Sequence, residues 1–254
     1  MIACDCSPRE EIVPLITSEA MVLRTYDLDE ADKIAVCFTR DAGVVRGVAR
    51  GARRLKSSFG AGLEPFTQIH LSYFEKEGRE LVTLRHLEIT HSYFGLSGNV
   101  EVVGGMAYMS ELVMAFSPPH EPNEKMYRMV RACLDAIEQA PEDLQMVLRY
   151  FEGWMLRLTG FFTLTRSCSN CGNGFAENAN TYLDSELQQL CDSCGKAVGI
   201  RILPKIREQL YSMQKQPPAV FAGQAKRLSR SAQSEFGQLM QRVIAYVLER
   251  APGK

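Results

Sequence analysis

The sequence predicts an α+β chain of more than one domain: a small closed β-barrel, then an all-helical domain with an inserted four-cysteine zinc module. Three observations predict it. Short alternating strands fill residues 19–90. The hydrophobic period then lengthens from 2 to 3.6, the change from strand to helix. Two C-x-x-C pairs stand nineteen residues apart, at Cys168/Cys171 and Cys191/Cys194.

The strands come first in the chain. EAMVLRTY (19–26) and DKIAVCFT (32–39) are separated by an acidic turn, and GVVRGVARG (43–51) follows Asp41-Ala42. PFTQIHLSYFE (65–75) alternates apolar with polar residues and leads through Gly78 to ELVTLRHLEIT (80–90). Five strands of uneven length with one long connection fit an OB-type barrel, with an SH3-like barrel as the rival on pattern alone. Residues 1–18 read as a tail ahead of the barrel domain (19–90).

Helices follow. VEVVGGMAYMSELVMAF (100–116) is apolar nearly all round, which predicts a buried helix ended by Pro118-Pro119. Met126, Met129, Val130, Cys133 and Ile137 make the stripe of a second. Leu144, Val147, Leu148, Phe151, Met155 and Leu158 make that of a third, stopped by Gly160. The last runs through Phe236 to Leu248, with Ser231 or Ser234 as its expected N-cap. The helical domain therefore splits into 91–165 and 200–254 around a cysteine insertion at 166–199.

The paired cysteines suit a structural zinc ion. Two knuckles at this separation let four thiolates close a tetrahedron, and a glycine follows each, Gly172 and Gly195, as a tight turn would need. The residues between them are too poor in apolar groups to hold together by burial. A catalytic zinc keeps an open position, which four matched cysteines do not leave. Cys37 in a strand and Cys133 on a helix stripe read as small core hydrophobes. Cys4 and Cys6 have no evident ligand partners.

Charge is uneven although the net is only −1. Residues 200–254 carry a net +7, and include Lys226, Arg227 and Arg230, whereas 91–199 sums to −6. Arg46, Arg50, Arg53, Arg54 and Lys56 place five positive charges and no negative one in eleven residues. Such a run beside a barrel suits a phosphate backbone; a solvated basic loop is the simpler account, and the pattern leaves both open. Phe59, Phe66, Tyr73 and Phe74 are aromatic but read as core. Gly47 and Gly51 read as points of backbone adaptability. No phosphate loop, metalloprotease motif, nucleophile elbow or dinucleotide glycine pattern occurs, and His70, His86, His91 and His120 are scattered. The expectation is a binding protein and not an enzyme, with no membrane segment and no secretory leader.

These residues resemble the RecO family of bacterial DNA-repair proteins. The resemblance rests on Leu23-Arg24-Thr25, on Val48-Ala49-Arg50-Gly51-Ala52-Arg53-Arg54, on Leu63-Glu64-Pro65-Phe66 and on the paired knuckles, and runs from about residue 19 to near 250. It implies an N-terminal OB-fold and a cytoplasmic, nucleoid-associated recombination mediator. Such a protein binds single- and double-stranded DNA and anneals complementary strands. With a RecR-like partner it helps RecA replace the single-stranded-DNA-binding protein (SSB). On this chain the resemblance makes Arg46, Arg50, Arg53, Arg54 and Lys56 the leading DNA contacts. It makes Lys226, Arg227 and Arg230 a second DNA surface or a dock for the acidic SSB tail, and the four cysteines a site for one structural Zn2+. Two other classes compete: a zinc-containing protein-interaction adaptor and an RNA-binding OB-fold protein.

Overall fold

A computed structural model describes residues 14–76, 78–197 and 199–250, so Cys4 and Cys6 lie outside the described residues. Five strands close a barrel: β1 (Leu15–Leu28), β2 (Asp32–Thr39), β3 (Gly43–Ala49), β4 (Gln68–Phe74) and β5 (Val82–His91). Their order around the barrel is β1-β2-β3-β5-β4. All neighbours are antiparallel except β3 and β5, which run parallel with Gly47 opposite Val82 and Val48 opposite Thr83. That parallel closure after a β1-β2-β3 meander is the OB arrangement, and it decides against the SH3-like rival.

The barrel is filled by alternate residues. Val22, Ala35, Cys37, Val45, Leu71 and Leu84 belong to one buried cluster that Phe59 and Leu63 plug, as the period of 2 requires. Burial pushes the Cys37 thiol up to about 12, consistent with a core cysteine. Gly47 is there for space, not adaptability: a Cβ would come within 2.4 Å of the Leu84 side chain. Gly51 does turn the chain, at φ +70°, and its amide donates to the Asp32 carboxylate at 2.7 Å.

Strand limits shift by up to four residues from the sequence reading, and the two largest shifts are strand starts. β1 starts at Leu15, not Glu19, because Leu15 to Met21 pair with β4 (Leu15 with Phe74, Met21 with Gln68) while Ala20 to Leu28 pair with β2. Residues 15–18 are therefore strand, not tail. β4 starts at Gln68, not Pro65, because Phe66 takes φ +63° and the Thr67 amide closes a turn onto the Glu64 carbonyl.

The second unit holds helices α1 (Val100–Phe116), α2 (Glu124–Gln139) and α3 (Leu144–Leu158), then the cysteine segment, then α5 (Pro204–Ser212), α6 (Pro218–Ala225) and α7 (Arg230–Arg250). Asn99 and Asn123 cap α1 and α2 by accepting from Val102 N and Met126 N. Ser229 caps α7, accepting from Ala232 N at 3.3 Å, so the cap lies before both serines expected. The predicted stripe of α2 is buried throughout. Helix α1 is not buried all round: Val102, Met109 and Val113 are inside, but Val100 is 86% exposed and Val103 44%. Apolar composition averages over both faces, and only one of them is core. Among the described residues no helix is long and apolar enough to cross a membrane.

The cysteine segment has its own three-stranded sheet, ordered β7-β6-β8, from Thr181–Leu183 (β6), Gln189–Cys191 (β7) and Ile200–Ile202 (β8), with a short turn of helix, α4 (Asp192–Gly195). β8 falls in the segment expected to open the second helical part. A three-residue strand carries too little pattern to be read without its partner.

Candidate nucleic-acid interface and cysteine site

On the barrel, the five predicted cations come together at the end of β3 and in the turns after it. Arg46 points outward from β3, and Arg50, Arg53, Arg54 and Lys56 follow; all five are exposed. They are not equivalent. Arg53 is tied to the acidic β1–β2 turn: its guanidinium donates to the Asp29 carbonyl at 2.9 Å and lies 3.6 Å from the Asp27 carboxylate. Arg46, Arg50, Arg54 and Lys56 are the cations turned to solvent.

A sixth cation was not legible in the sequence. Arg85 is the extra residue of a β-bulge in β5, since Tyr73 pairs with Leu84 and Ser72 with His86, and it is exposed. The parallel pairing of Val48 with Thr83 carries β3 and β5 in one direction. Arg50, in the turn just after β3, and Arg85, in the β5 bulge, each lie two residues beyond that pair in the direction of the chain. A pairing between strands more than thirty residues apart leaves no local trace. Of the aromatics noted in the sequence, Phe59, Phe66 and Tyr73 are buried and Phe74 is half-buried.

The C-terminal cations stand differently. Lys226 Nζ lies 3.0 Å from the nearly buried Asp143 carboxylate, while Arg227 and Arg230 are exposed. Arg207 is buried and donates to the carbonyls of Ala176, Glu177 and Ala179 at 2.7–2.9 Å, with its guanidinium over the Phe175 ring. Arg250 donates to the Ser185 carbonyl.

All four predicted metal ligands come together. The sulfurs of Cys168, Cys171, Cys191 and Cys194 lie within 4.8 Å of one another, and Cys171 and Cys191 are 3.8 Å apart. Tetrahedral coordination at about 2.3 Å requires sulfur spacings of about 3.8 Å, so the donor set fits. Burial raises the Cys168 thiol, yet backbone hydrogen bonds with Cys171, Cys191 and Asn170 outweigh it and bring it down to about 6. Cys194 moves the other way, up to about 11: the Asn170 side chain lowers it, but contact with Cys191, burial, and the other two sulfurs raise it. Four such neighbours cannot all be thiolates without a cation among them. Gly172 turns the first knuckle at φ +75°. Gly195 instead makes room, since a Cβ there would meet the Tyr182 side chain at 2.6 Å.

A pocket of about 510 Å³ opens beside α2 and α3. Met129, Tyr150, Trp154 and Leu158 give it apolar walls, and Lys125, Arg128 and Arg131 bring positive charge against Asp135. Both rings are fixed: Tyr150 Oη donates to the Gln216 carbonyl and Trp154 Nε1 to that of Met213, each at 3.0 Å. No motif announces this pocket in the sequence.

An OB barrel with a basic flank, followed by a helical unit carrying a four-cysteine cluster, defines a two-unit α+β class. Residues 13–93 match the family described as Recombination protein O N terminal, and residues 98–254 match Recombination protein O C terminal. The chain belongs to the recombination protein O (RecO) family. It is similar to the DNA repair protein RecO of Koribacter versatilis, 33% identical over 64% of this chain and 66% of that protein. Its counterpart in Geobacter metallireducens is 33% identical over 70% and 72%. That of Syntrophotalea carbinolica is 29% identical over 92% of this chain and 90% of its own length.

Proposed function

We propose that this chain is a DNA-repair mediator that binds DNA through its barrel and anneals complementary single strands. With a RecR-like partner it helps RecA replace SSB on single-stranded DNA. The observation that carries the reading is the belt of exposed cations, Arg46, Arg50, Arg54, Lys56 and Arg85, on and beside β3 and β5 of an OB barrel. OB barrels receive oligonucleotides on the strand 2–3 face and its flanking loops, and guanidinium forks match phosphate oxygens. The role needs contact and release, with no bond made or broken by the protein. The four cysteines would hold one Zn2+, which supplies a cross-link of the knuckle segment and no open coordination position.

Anisotropy of a labelled single-stranded DNA oligonucleotide over a range of salt concentrations tests the barrel surface. Five neutralised phosphates predict a log–log slope of roughly −3 to −4. Arg50→Glu with Arg54→Glu should weaken binding and flatten the slope by at least about 1.4. Arg53 is left in place because its reversal would set a carboxylate against Asp27. Unchanged binding in the double variant would move DNA away from the barrel, and a strong preference for RNA would favour the RNA-binding alternative.

The helical pocket supports the acidic SSB tail as a second ligand. Aromatic walls with a rim of Lys125, Arg128 and Arg131 suit a short acidic peptide that ends in apolar residues. On this reading the tail is taken by the pocket and not by Lys226, Arg227 and Arg230. A labelled peptide of that composition should bind the wild type and lose most of its affinity to Arg128→Glu with Arg131→Glu; equal binding would exclude the pocket.

A further inference from the structure

We propose that the row Tyr26–Ile34–Val48 on the outside of the barrel is a stacking floor for the bases of single-stranded DNA, and that it makes the barrel favour single strands over duplex. The inference rests on the reading of the barrel as the DNA surface and names the residue that would select the form of DNA.

Strand register builds the row. Tyr26 pairs with Ile34, Ile34 with Val48, and Val48 with Thr83, so one line of side chains crosses β1, β2, β3 and β5. Ala35, Val45, Ala49, Val82 and Leu84 point into the barrel, and the residues alternating with them face out. Tyr26 is 48% exposed, while Ile34, Val48 and Thr83 are half-buried. At a strand spacing of about 4.8 Å the row is about 14 Å long, an apolar strip headed by an aromatic ring.

Charge surrounds the strip on chosen sides. Arg46 lies two residues before Val48, and Arg50 and Arg85 lie two residues beyond Val48 and Thr83, so cations border both rims at the β3–β5 end. At the β1–β2 end the turn bears Asp27, Asp29, Glu30 and Asp32. Phosphates are drawn to the exposed cations of the first end; the acidic turn is held against the start of that basic run, with Asp32 accepting from Gly51 N and Asp27 paired with Arg53. A bound strand therefore keeps its backbone along Arg46, Arg50 and Arg85 and turns its bases toward Tyr26. Duplex DNA has its base faces already stacked and offers none to the ring, whereas every base of a single strand has a free face.

The test uses the full chain with Tyr26→Ala and Tyr26→Phe, measuring affinity for a single-stranded oligonucleotide and for the duplex of the same sequence, together with the salt slope. Tyr26→Ala should weaken single-strand binding about tenfold while duplex affinity and slope stay near wild type, since no cation is removed. Tyr26→Phe, which keeps the ring, should bind as wild type does. Tyr26 lies outside the buried barrel cluster, and an unchanged circular dichroism melt would show that Tyr26→Ala is folded. Wild-type single-strand affinity in Tyr26→Ala, or equal losses for both DNA forms, would overturn the stacking floor and leave the barrel reading intact. Failure of the wild type to bind any DNA at low salt would overturn both.

Discussion

The barrel run and the C-terminal stretch are the two basic regions of this chain, and they use their charge differently. In the barrel, Arg46, Arg50, Arg54 and Lys56 face solvent, and Arg53 alone of that run is tied to the acidic turn. In the C-terminal stretch the larger positive sum is partly engaged inside the molecule. Arg207 is buried on three carbonyls, Lys226 holds Asp143, and Arg250 reaches Ser185 and Glu186. A segment's net charge therefore does not measure what it offers a phosphate backbone. A guanidinium that satisfies buried carbonyls serves the fold, and one that faces water is available to a ligand.

The largest effect that would break this comparison lies in the C-terminal region. Arg207→Ala leaves three carbonyls of the 176–179 loop without their donor and removes the cation from Phe175. It should cost about 3 kcal/mol or more of stability, whereas Arg54→Ala should leave the thermal midpoint within about 0.5 kcal/mol of wild type. Cys168→Ser should resemble Arg207→Ala in its melt, and metal analysis of the purified protein should show the zinc content of that variant falling. A Cys168→Ser protein as stable as wild type would separate the cysteines from folding.

A smaller effect sharpens the comparison. Lys226 is half-exposed, so its pair with Asp143 is screened by solvent. Lys226→Ala should cost about 1 kcal/mol and leave the salt slope of DNA binding unchanged. A slope flattened by about 0.7 would instead make Lys226 a phosphate contact, and the C-terminal stretch a second DNA surface.

Local patterns made much of this visible in advance. The apolar stripe of α2 and the end of α1 at Ser117 are set by side chains within a few turns of one another. The cysteine quartet was legible because coordination chemistry restricts the spacing within each knuckle. The N-cap of α7 was harder, since Ser229, Ser231 and Ser234 offer the same chemistry and only the backbone path selects one.

What the sequence by itself determined is therefore the order of elements, the alternation that fills the barrel, and the residues able to hold a metal ion. These follow from periods of 2 and 3.6 and from short fixed spacings, which are properties of neighbours along the chain. Tertiary structure decided which cations are available, that Arg85 stands out in a bulge of β5, that Tyr26 heads an apolar row, and that Gly47 and Gly195 stand where a Cβ would not fit. Each depends on a contact between residues distant in sequence, where register and burial, and not residue type, select the outcome.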